Sequence, residues 1–156
     1  MLTALCGAYA YHIISAGNCR KCWSHHALLR LFWGWSHLIE PCGFPLGDKR
    51  MRRAAMDYAV PGGIQSALDW ETYRSSAKGR QVLMTTKGAV PLQDFAFETD
   101  DTLIFGAEGS GVPEFVHANS DARVVIPMVE GARSLNLSNS VALTLFEALR
   151  QTNGLP

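Results

Sequence analysis

The clearest pattern of hydrophobic and polar positions in this chain lies between residues 123 and 150. Residues 123–129 are apolar and rich in β-branched side chains, which predicts a buried strand. Residues 138–150 repeat apolar positions at helical spacing, which predicts a helix capped by Ser138 or Asn139. The loop between them contains Gly131 and five side chains that donate or accept hydrogen bonds: Arg133, Ser134, Asn136, Ser138 and Asn139. An ordinary strand–helix connection needs one or two such residues, so their density favours a site.

Shorter elements are predicted upstream of this region. Apolar runs predict strands over residues 36–40, 81–85 and 102–105. Asp48 is suited to cap a helix over residues 49–56, and Pro113 is suited to the first position of a helix that continues through residues 114–118. Residues 64–75 form an amphipathic or irregular segment, and residues 1–34 show no clear period. The repeated order of strand, loop and helix predicts an α/β fold with a mostly parallel sheet flanked by helices.

Three loops follow the carboxyl ends of predicted strands, after Met84, Phe105 and Ile126. In open parallel sheets, ligands bind beyond this edge. The loop from Gly106 to Pro113 reads G-x-x-G-x-G, which differs from the dinucleotide-binding order and is a weak phosphate signal alone. We expect an organic cofactor with a polar head to lie across the three loops.

Composition and charge limit the kind of partner. The 156 residues, 47% hydrophobic and 18% charged, fit one folded domain over the whole chain. The formal net charge is zero, so any contact with nucleic acid must come from a local patch. One strong basic cluster is present, and it is either a solvated helix surface or a phosphate-binding segment: Lys49, Arg50, Arg52 and Arg53.

The cysteines and the start of the chain bear on location and metal binding. No apolar run approaches the roughly 20 residues of a membrane span, and residues 2–14 lack the features of a signal peptide. Four cysteines without an export signal favour reduced thiols and a cytoplasmic protein. Cys19 and Cys22 form a C-x-x-C with His25 and His26 beyond it, which suits a zinc-containing RNA-binding protein. A second such pair is lacking in the sequence, so we predict no metal and keep zinc as an alternative.

Four stretches together resemble one family. They read IEPCGFPLGDKRMRRAAMDY (39–58), LMTTKG (83–88), LIFGAEGSGVP (103–113) and IPMVEGARSLNLSNSVALTLFEALRQ (126–151). The chain resembles the tRNA ribose 2′-O-methyltransferases of the SPOUT superfamily, of the small wobble-nucleotide type (TrmL/YibK-like), over about residues 35–152.

This resemblance implies a function and a set of site residues. It implies transfer of a methyl group from S-adenosylmethionine (AdoMet) to the ribose of a cytidine or 5-substituted uridine at the tRNA wobble position, by a homodimer with a C-terminal trefoil knot. It places Ser134 and Asn136 in the active site, and it implies that the basic cluster of residues 49–53 binds RNA. It implies that the cofactor is held at the positions of Met84, Gly106, Ile126, Ser134 and Leu135. Glu108 corresponds to the middle loop of the knot and is counted with the cofactor-binding residues.

The chain departs from this family near its start. The family has a Pro-Glu-Ile segment and then Asn-x-Gly-x-x-x-Arg, whose arginine is held to contribute to catalysis. At the matching distance stand Lys21, Cys22, Ala27 and Leu28. Residues 15–27 can be back-translated so that a one-base shift reads Gln-Pro-Glu-Ile-Ala-Gly-Asn-Val-Gly-Ala-Ile-Met, with arginine next. Codon choice leaves freedom, but Trp23 has a single codon, so we hypothesise a compensated frameshift within residues 1–34, in the gene or in its determined sequence.

If the written sequence is the one that is made, a second function is open. The protein would then be a SPOUT-like module that binds cofactor or tRNA but has lost turnover, because the first motif is absent.

Overall fold

A single parallel sheet forms the centre of the described structure. The computed structural model describes residues 10–14, 35–40, 64–87, 90–107 and 109–155. Within these ranges seven strands occur: β1 (Ala10–Ile14), β2 (Trp35–Ile39), β3 (Ile64–Ala67), β4 (Gln81–Met84), β5 (Val90–Pro91), β6 (Thr102–Phe105) and β7 (Ala122–Val125). They pair in the order β3-β2-β1-β6-β4-β7-β5, and every pairing is parallel. The predicted α/β class with a parallel sheet is confirmed.

After their first residues, Gln81 and Thr102, the central strands β4 and β6 are apolar throughout, because the sheet is covered on both faces. All four residues of β4 and all four of β6 are buried. Strands that are buried on both sides lack the alternation of a half-exposed strand, so the short runs QVLM and TLIF predicted them well.

Helices cover the two faces of the sheet. The described helices are α1 (Trp70–Ser76), α2 (Glu114–Asn119) and α3 (Leu137–Gln151), with a 3-10 turn at Leu92–Asp94. On one face, Leu145 and Leu149 of α3 pack in a core with Val82, Leu103 and Val124. The other face has a second core, built from residues of α1, α2 and the strands: Trp70, Tyr73, Val116, Leu83 and Ile104. Successive strand residues enter opposite cores, as the two-residue period of a strand requires.

The amino ends of β4, β6 and β7 are joined by paired charges. Arg80 donates from Nε to Oδ1 of Asp101 over 2.7 Å and from Nη2 to Oδ2 over 2.8 Å, and the backbone N–H of Glu98 donates to Oδ2 over 2.8 Å. Asp121 accepts two hydrogen bonds from the guanidinium of Arg74, each 3.1 Å, and one from the backbone of the first β4 residue over 2.7 Å. The pKa of the Asp121 carboxyl is lowered, chiefly by the hydrogen bonds from Arg74.

The predicted strand over residues 123–129 is wrong in its second half. β7 ends at Val125, and the following residues lie outside the sheet. Pro127 has no N–H to donate to a ladder, and Val129 is 82% exposed. The apolar residues beyond β7 therefore belong to a loop rather than to a buried strand.

Three other boundaries differ from the predictions. The cap of α3 is Asn136, whose Oδ1 accepts from the backbone N–H of Ser138 over 2.9 Å, so neither Ser138 nor Asn139 has that role. Pro113 precedes α2 rather than starting it. Residues 64–75, interpreted as one amphipathic or irregular segment, contain β3 and most of α1, whose cap is Asp69.

The N-terminal part of the chain contains one strand that was not predicted and several predictions that lie outside the described residues. The structure has a strand, β1, within the N-terminal stretch that shows no period, and it pairs between β2 and β6. The predicted helix over residues 49–56 and the zinc candidates Cys19, Cys22, His25 and His26 lie outside the described residues. In the part of the chain that is described, no helix combines the length and the apolar character needed to cross a membrane.

Candidate active site

A cavity of about 380 Å³ opens at the carboxyl ends of β4, β6 and β7. The loops after all three strands line it, as predicted from their positions in the chain. Its apolar wall comes from Met84, Phe105, Val125, Ile126, Leu135 and Leu137. Polar groups from the same loops and from the start of α3 complete the wall, so the cavity combines the two kinds of surface that organic ligands need.

The loop after β6 closes on itself. Ala107 and Gly111 exchange two backbone hydrogen bonds, of 3.0 Å and 2.7 Å. A side chain at Gly106 would bring its Cβ within 2.5 Å of the backbone carbon of Gly111, and Gly111 itself has a φ of +68°. Both glycines are therefore required by the loop's own geometry, and the loop presents a fixed backbone edge to the cavity.

The loop after β7 is open and polar. Gly131 has a φ of +86°, so the unusual backbone angle predicted there is confirmed. Arg133 and Ser134 are exposed and line the cavity, and Leu135 beside them is half-buried. Ser134 thus lies where both the cavity and the solvent can be reached.

The structure brings together most of the residues predicted to bind a cofactor. Those that line the cavity are Met84, Gly106, Ile126, Ser134 and Leu135. Asn136, predicted to be catalytic, is absent from the lining residues and caps α3 through its Oδ1. Glu108 and the basic cluster (Lys49, Arg50, Arg52 and Arg53) lie outside the described residues, so their roles stay predictions.

Seven polar residues of the cavity wall were not predicted as site residues: Thr85, Thr86, Lys87, Ser110, His117, Arg133 and Ser140. Lys87 is in the turn after β4, where its Nζ lies 3.8 Å from Oε2 of Glu114. His117 lies in α2, which was interpreted only as the helix after the glycine loop. Arg133 was noted as a donor, and its place directly before Ser134 is a sequence signal that could have marked it. For His117 no local signal exists, because it depends on how α2 packs.

The ionisable groups among the described lining residues are Lys87, His117 and Arg133. The two exposed ones are cations, which suits an anionic partner such as an RNA backbone at the mouth of the cavity. A cluster of three carboxylates occurs elsewhere among the described residues, at Glu98, Asp100 and Asp101. It lies at the opposite end of the strands, where the Asp101 carboxylate is hydrogen-bonded by Arg80.

Comparison with known proteins identifies the family. The model of the SpoU rRNA Methylase family matches residues 33–146, which is more than half of the chain. The chain belongs to the SpoU rRNA Methylase family. The methyltransferase class inferred from the sequence resemblance is thereby confirmed. The matched region includes the three loops of the cavity, so the site described above lies within the part that defines the SpoU family.

Individual relatives of this SpoU family member are close in sequence and in fold. A tRNA (cytidine(34)-2′-O)-methyltransferase from Ancylobacter novellus is 51% identical over 121 residues, which are 76% of this chain and 77% of the relative. A solved structure concerned with the 2-OH methylation of C/U34 on tRNA has a TM-score of 0.86 at 27% identity, covering 96% of this chain and 99% of the other. The SpoU methyltransferase AviRb from Streptomyces viridochromogenes, solved in complex with the cofactor AdoMet, shares the fold at a TM-score of 0.77 and 20% identity, covering 93% of this chain and 60% of the other.

Proposed function

We propose that this protein transfers a methyl group from AdoMet to the ribose 2′-hydroxyl of nucleotide 34 of tRNA, a cytidine or a 5-substituted uridine. The observation that carries the proposal is the cavity at the carboxyl ends of β4, β6 and β7, with the exposed residue Ser134 on its wall. The substrate is taken from the relative of 51% identity, which is named for cytidine 34, and from the structural neighbour concerned with C/U34.

The residues of the cavity fit AdoMet. A volume of about 380 Å³ is in the range of sites for small organic cofactors. The apolar wall suits an adenine ring, and Gly106 leaves the backbone of the loop after β6 uncovered by a side chain at the cavity. Bound AdoMet supplies an electrophilic methyl group on a sulfonium. The residues that we propose to hold it are Met84, Gly106, Glu108, Ile126, Ser134 and Leu135.

The protein's part in the reaction is to position the ribose and to assist loss of its proton. A ribose hydroxyl is a poor nucleophile, so alignment with the methyl group and removal of the proton both lower the barrier. We assign Ser134 to orient the ribose because it is exposed at the cavity. Asn136 would act through its amide N–H groups, since its Oδ1 already accepts the cap hydrogen bond of α3.

RNA binding requires a positive surface near the cavity. Arg133 and Lys87 lie on the wall of the cavity and are exposed, which supports approach of a phosphate backbone there. We propose further phosphate contacts from the basic cluster of a protein whose net charge is zero: Lys49, Arg50, Arg52 and Arg53. The cytoplasm, where tRNA is found, remains the expected location.

Assembly and topology complete the proposal. Leu143 and Phe146 of α3 are 49% and 50% exposed, which supports a homodimer that covers this helix face. The position of β7 between β4 and β5 is compatible with a trefoil knot in a single domain of residues 1–156.

The decisive experiment combines cofactor binding with methyl transfer to tRNA that lacks the modification. We expect calorimetry to show AdoMet binding, and radioactive methyl transfer to appear at nucleotide 34 but not in tRNA whose ribose 34 is already methylated. Folded protein that binds no AdoMet would contradict the cofactor assignment. Methylation at another nucleotide would contradict the substrate assignment and leave the chemistry standing.

A second function, binding without turnover, is supported by one observation, the absence of the Asn-x-Gly-x-x-x-Arg motif from residues 15–34. It predicts AdoMet binding with greatly reduced methyl transfer, since the cavity lies in the part of the chain after residue 80. The matched control is a variant that carries the one-base-shifted reading of residues 15–27. Restored activity in that variant alone supports the second function, and equal activity in both proteins rules it out. Tryptic mapping of the natural protein shows which reading is made.

A further inference from the structure

His117 differs from the other ionisable residues of the cavity wall in its burial. Its residue surface is only 7% exposed, although it lines the cavity. It lies on α2, against the face of the sheet opposite to α3. By contrast, the side chain of Lys87 is 72% exposed, and Arg133 and Ser134 are also exposed. His117 is therefore an inner residue of the cavity, and the other three lie near its mouth.

The His117 imidazole lacks a hydrogen-bond partner that its burial requires. Its Nδ1 is enclosed and has no partner among the residues that the structure describes. Buried polar atoms are nearly always hydrogen-bonded, because an unpaired one loses its contact with water without compensation. Each nitrogen of a neutral imidazole is a donor or an acceptor, and a half-turn of the ring moves Nδ1 to the opposite side of the imidazole. A leucine would fill the same space without this cost, so the imidazole indicates a partner that arrives with a ligand.

The depth of His117 decides between the two ligands of the proposed reaction. RNA is too large to enter a cavity of about 380 Å³ beyond the nucleotide that it presents at the mouth. The exposed groups at that mouth, Arg133 and Ser134, are placed to meet it. AdoMet would fill the interior, and it carries amine, carboxylate, hydroxyl and adenine groups that can pair with an imidazole.

We propose that His117 is a cofactor-binding residue whose imidazole forms a hydrogen bond with bound AdoMet. The inference rests on the proposed function, because it takes AdoMet to be the ligand of the cavity. It adds a residue from α2 to a site otherwise formed by the three loops and the start of α3. His117 positions the cofactor and takes no part in the transfer of the methyl group.

The test compares His117→Leu and His117→Gln with the parent by calorimetry, using AdoMet alone. We expect H117L to bind AdoMet about tenfold more weakly, the size of one lost hydrogen bond, and H117Q to retain part of the affinity. The melting temperature of ligand-free H117L should equal or exceed that of the parent, since the variant removes an unpaired buried atom. Asn119→Ala is the control, because Asn119 is on the same helix, is exposed and donates only to the carbonyl of Phe115. Its AdoMet affinity should equal that of the parent.

Several outcomes would overturn the inference. An AdoMet affinity of H117L within twofold of the parent would overturn it. A lower melting temperature of H117L at unchanged affinity would also overturn it, since His117 would then have its hydrogen-bond partner within the protein. If the parent binds no AdoMet, the proposed cofactor fails together with the inference. If the parent binds AdoMet and H117L binds it with equal affinity, the proposed function stands and the inference alone fails.

A second measurement avoids reliance on a variant that fails to fold. The imidazole ¹⁵N resonances of His117 in the parent should shift when S-adenosylhomocysteine is added, and unchanged resonances at saturation would overturn the inference. Methylthioadenosine, which lacks the amino-acid part, then locates the contact. A shift with this compound assigns the hydrogen bond to the nucleoside, and a shift with S-adenosylhomocysteine alone assigns it to the amino-acid end.

Discussion

The two ends of the central strands β4, β6 and β7 are built in opposite ways. At the amino ends, two arginine–aspartate pairs join the strands, Arg80–Asp101 and Arg74–Asp121. At the carboxyl ends, the polar groups surround a cavity, and His117 has an imidazole nitrogen without a partner among the described residues. The same strands thus end in a hydrogen-bonded network on one side and in an open site on the other.

The glycines of the two ends illustrate the same difference. Gly79, just before β4, has a φ of +72°, and a Cβ there would lie 1.8 Å from the carbonyl oxygen of Asp100. This glycine permits a close backbone contact within the closed end. Gly106, just after β6, permits a contact between the two sides of a loop that borders the cavity. We conclude that the amino ends mainly stabilise the fold, whereas the carboxyl ends leave an open cavity, which is the proposed site.

Replacing Asp101 by alanine should give the largest effect and test the stabilising role of the amino ends. Asp101 is 1% exposed and accepts hydrogen bonds from Arg80 and from the backbone of Glu98. Removing one partner of a buried pair leaves the other groups unpaired, so we expect a loss of about 3 kcal/mol in the free energy of unfolding, measured in urea. AdoMet affinity of the folded variant should not change. A large loss of affinity at unchanged stability would contradict the separation of the two ends.

Replacing Ser134 by alanine tests the other end. We expect kcat/KM for tRNA methylation to fall about 100-fold, because the ribose loses a group that orients it. The free energy of unfolding should stay within about 0.5 kcal/mol of the parent, since the residue is exposed. The matched control is Ser75→Ala, which removes an exposed hydroxyl on α1 that donates to the carbonyl of Thr72. Equal activity losses in both variants would contradict a specific role for Ser134.

Replacing Arg52 and Arg53 by alanine tests whether the basic cluster, rather than the cations at the amino ends of the strands, contacts RNA. We expect tRNA affinity to fall and the slope of log affinity against log salt to decrease by about two, because each phosphate contact releases counterions. The control is the double variant of Lys78 and Arg123, two exposed residues at the amino ends of strands, which removes the same charge. Equal slopes for the Arg52/Arg53 variant and the parent would show that the cluster is only a solvated surface.

Replacing Glu147 by glutamine should give the smallest effect. Hydrogen bonds from Arg150 and then Gln151 lower the pKa of Glu147 from 4.5 to about 2. A lowered pKa means that the ionised group stabilises the folded state above about pH 4.5, and that this stability is lost as the pH falls towards 2. The pair lies on the surface, so the shift in the urea midpoint should be several-fold smaller than for D101A. We expect the difference between parent and variant at pH 7 to shrink at pH 3, and a constant difference would contradict this assignment.

The sequence predicted those parts of the molecule in which burial follows a local period. The helical repeat of α3 was recognisable because this helix faces a single core. The apolar runs of β4 and β6 were recognisable because these strands lie between the two cores. The three loops of the cavity were also predicted, since parallel strands place their carboxyl ends at one edge. β1 was not predicted, although it is central in the sheet, because residues 1–34 have no clear period.

Other features could not be predicted, because they depend on contacts between distant residues. Arg80 and Asp101 are 21 positions apart, and Arg74 and Asp121 are 47 apart. Their pairing follows from strand order, which local patterns do not encode. The strand before α3 was predicted four residues too long, because Pro127 was included in an apolar run.

The sequence by itself therefore determined the fold class, the family resemblance and the loops that form the site. These follow from the spacing of apolar residues within single elements and from contiguous motifs, and both are visible in the sequence without knowledge of distant contacts. Only the tertiary structure decided that His117 joins the cavity and that arginine–aspartate pairs join the strands at the opposite end. The reason is that hydrogen bonds and burial at these positions depend on which strands are neighbours, and here β6 precedes β4 and β7 in the sheet while following β4 in the chain.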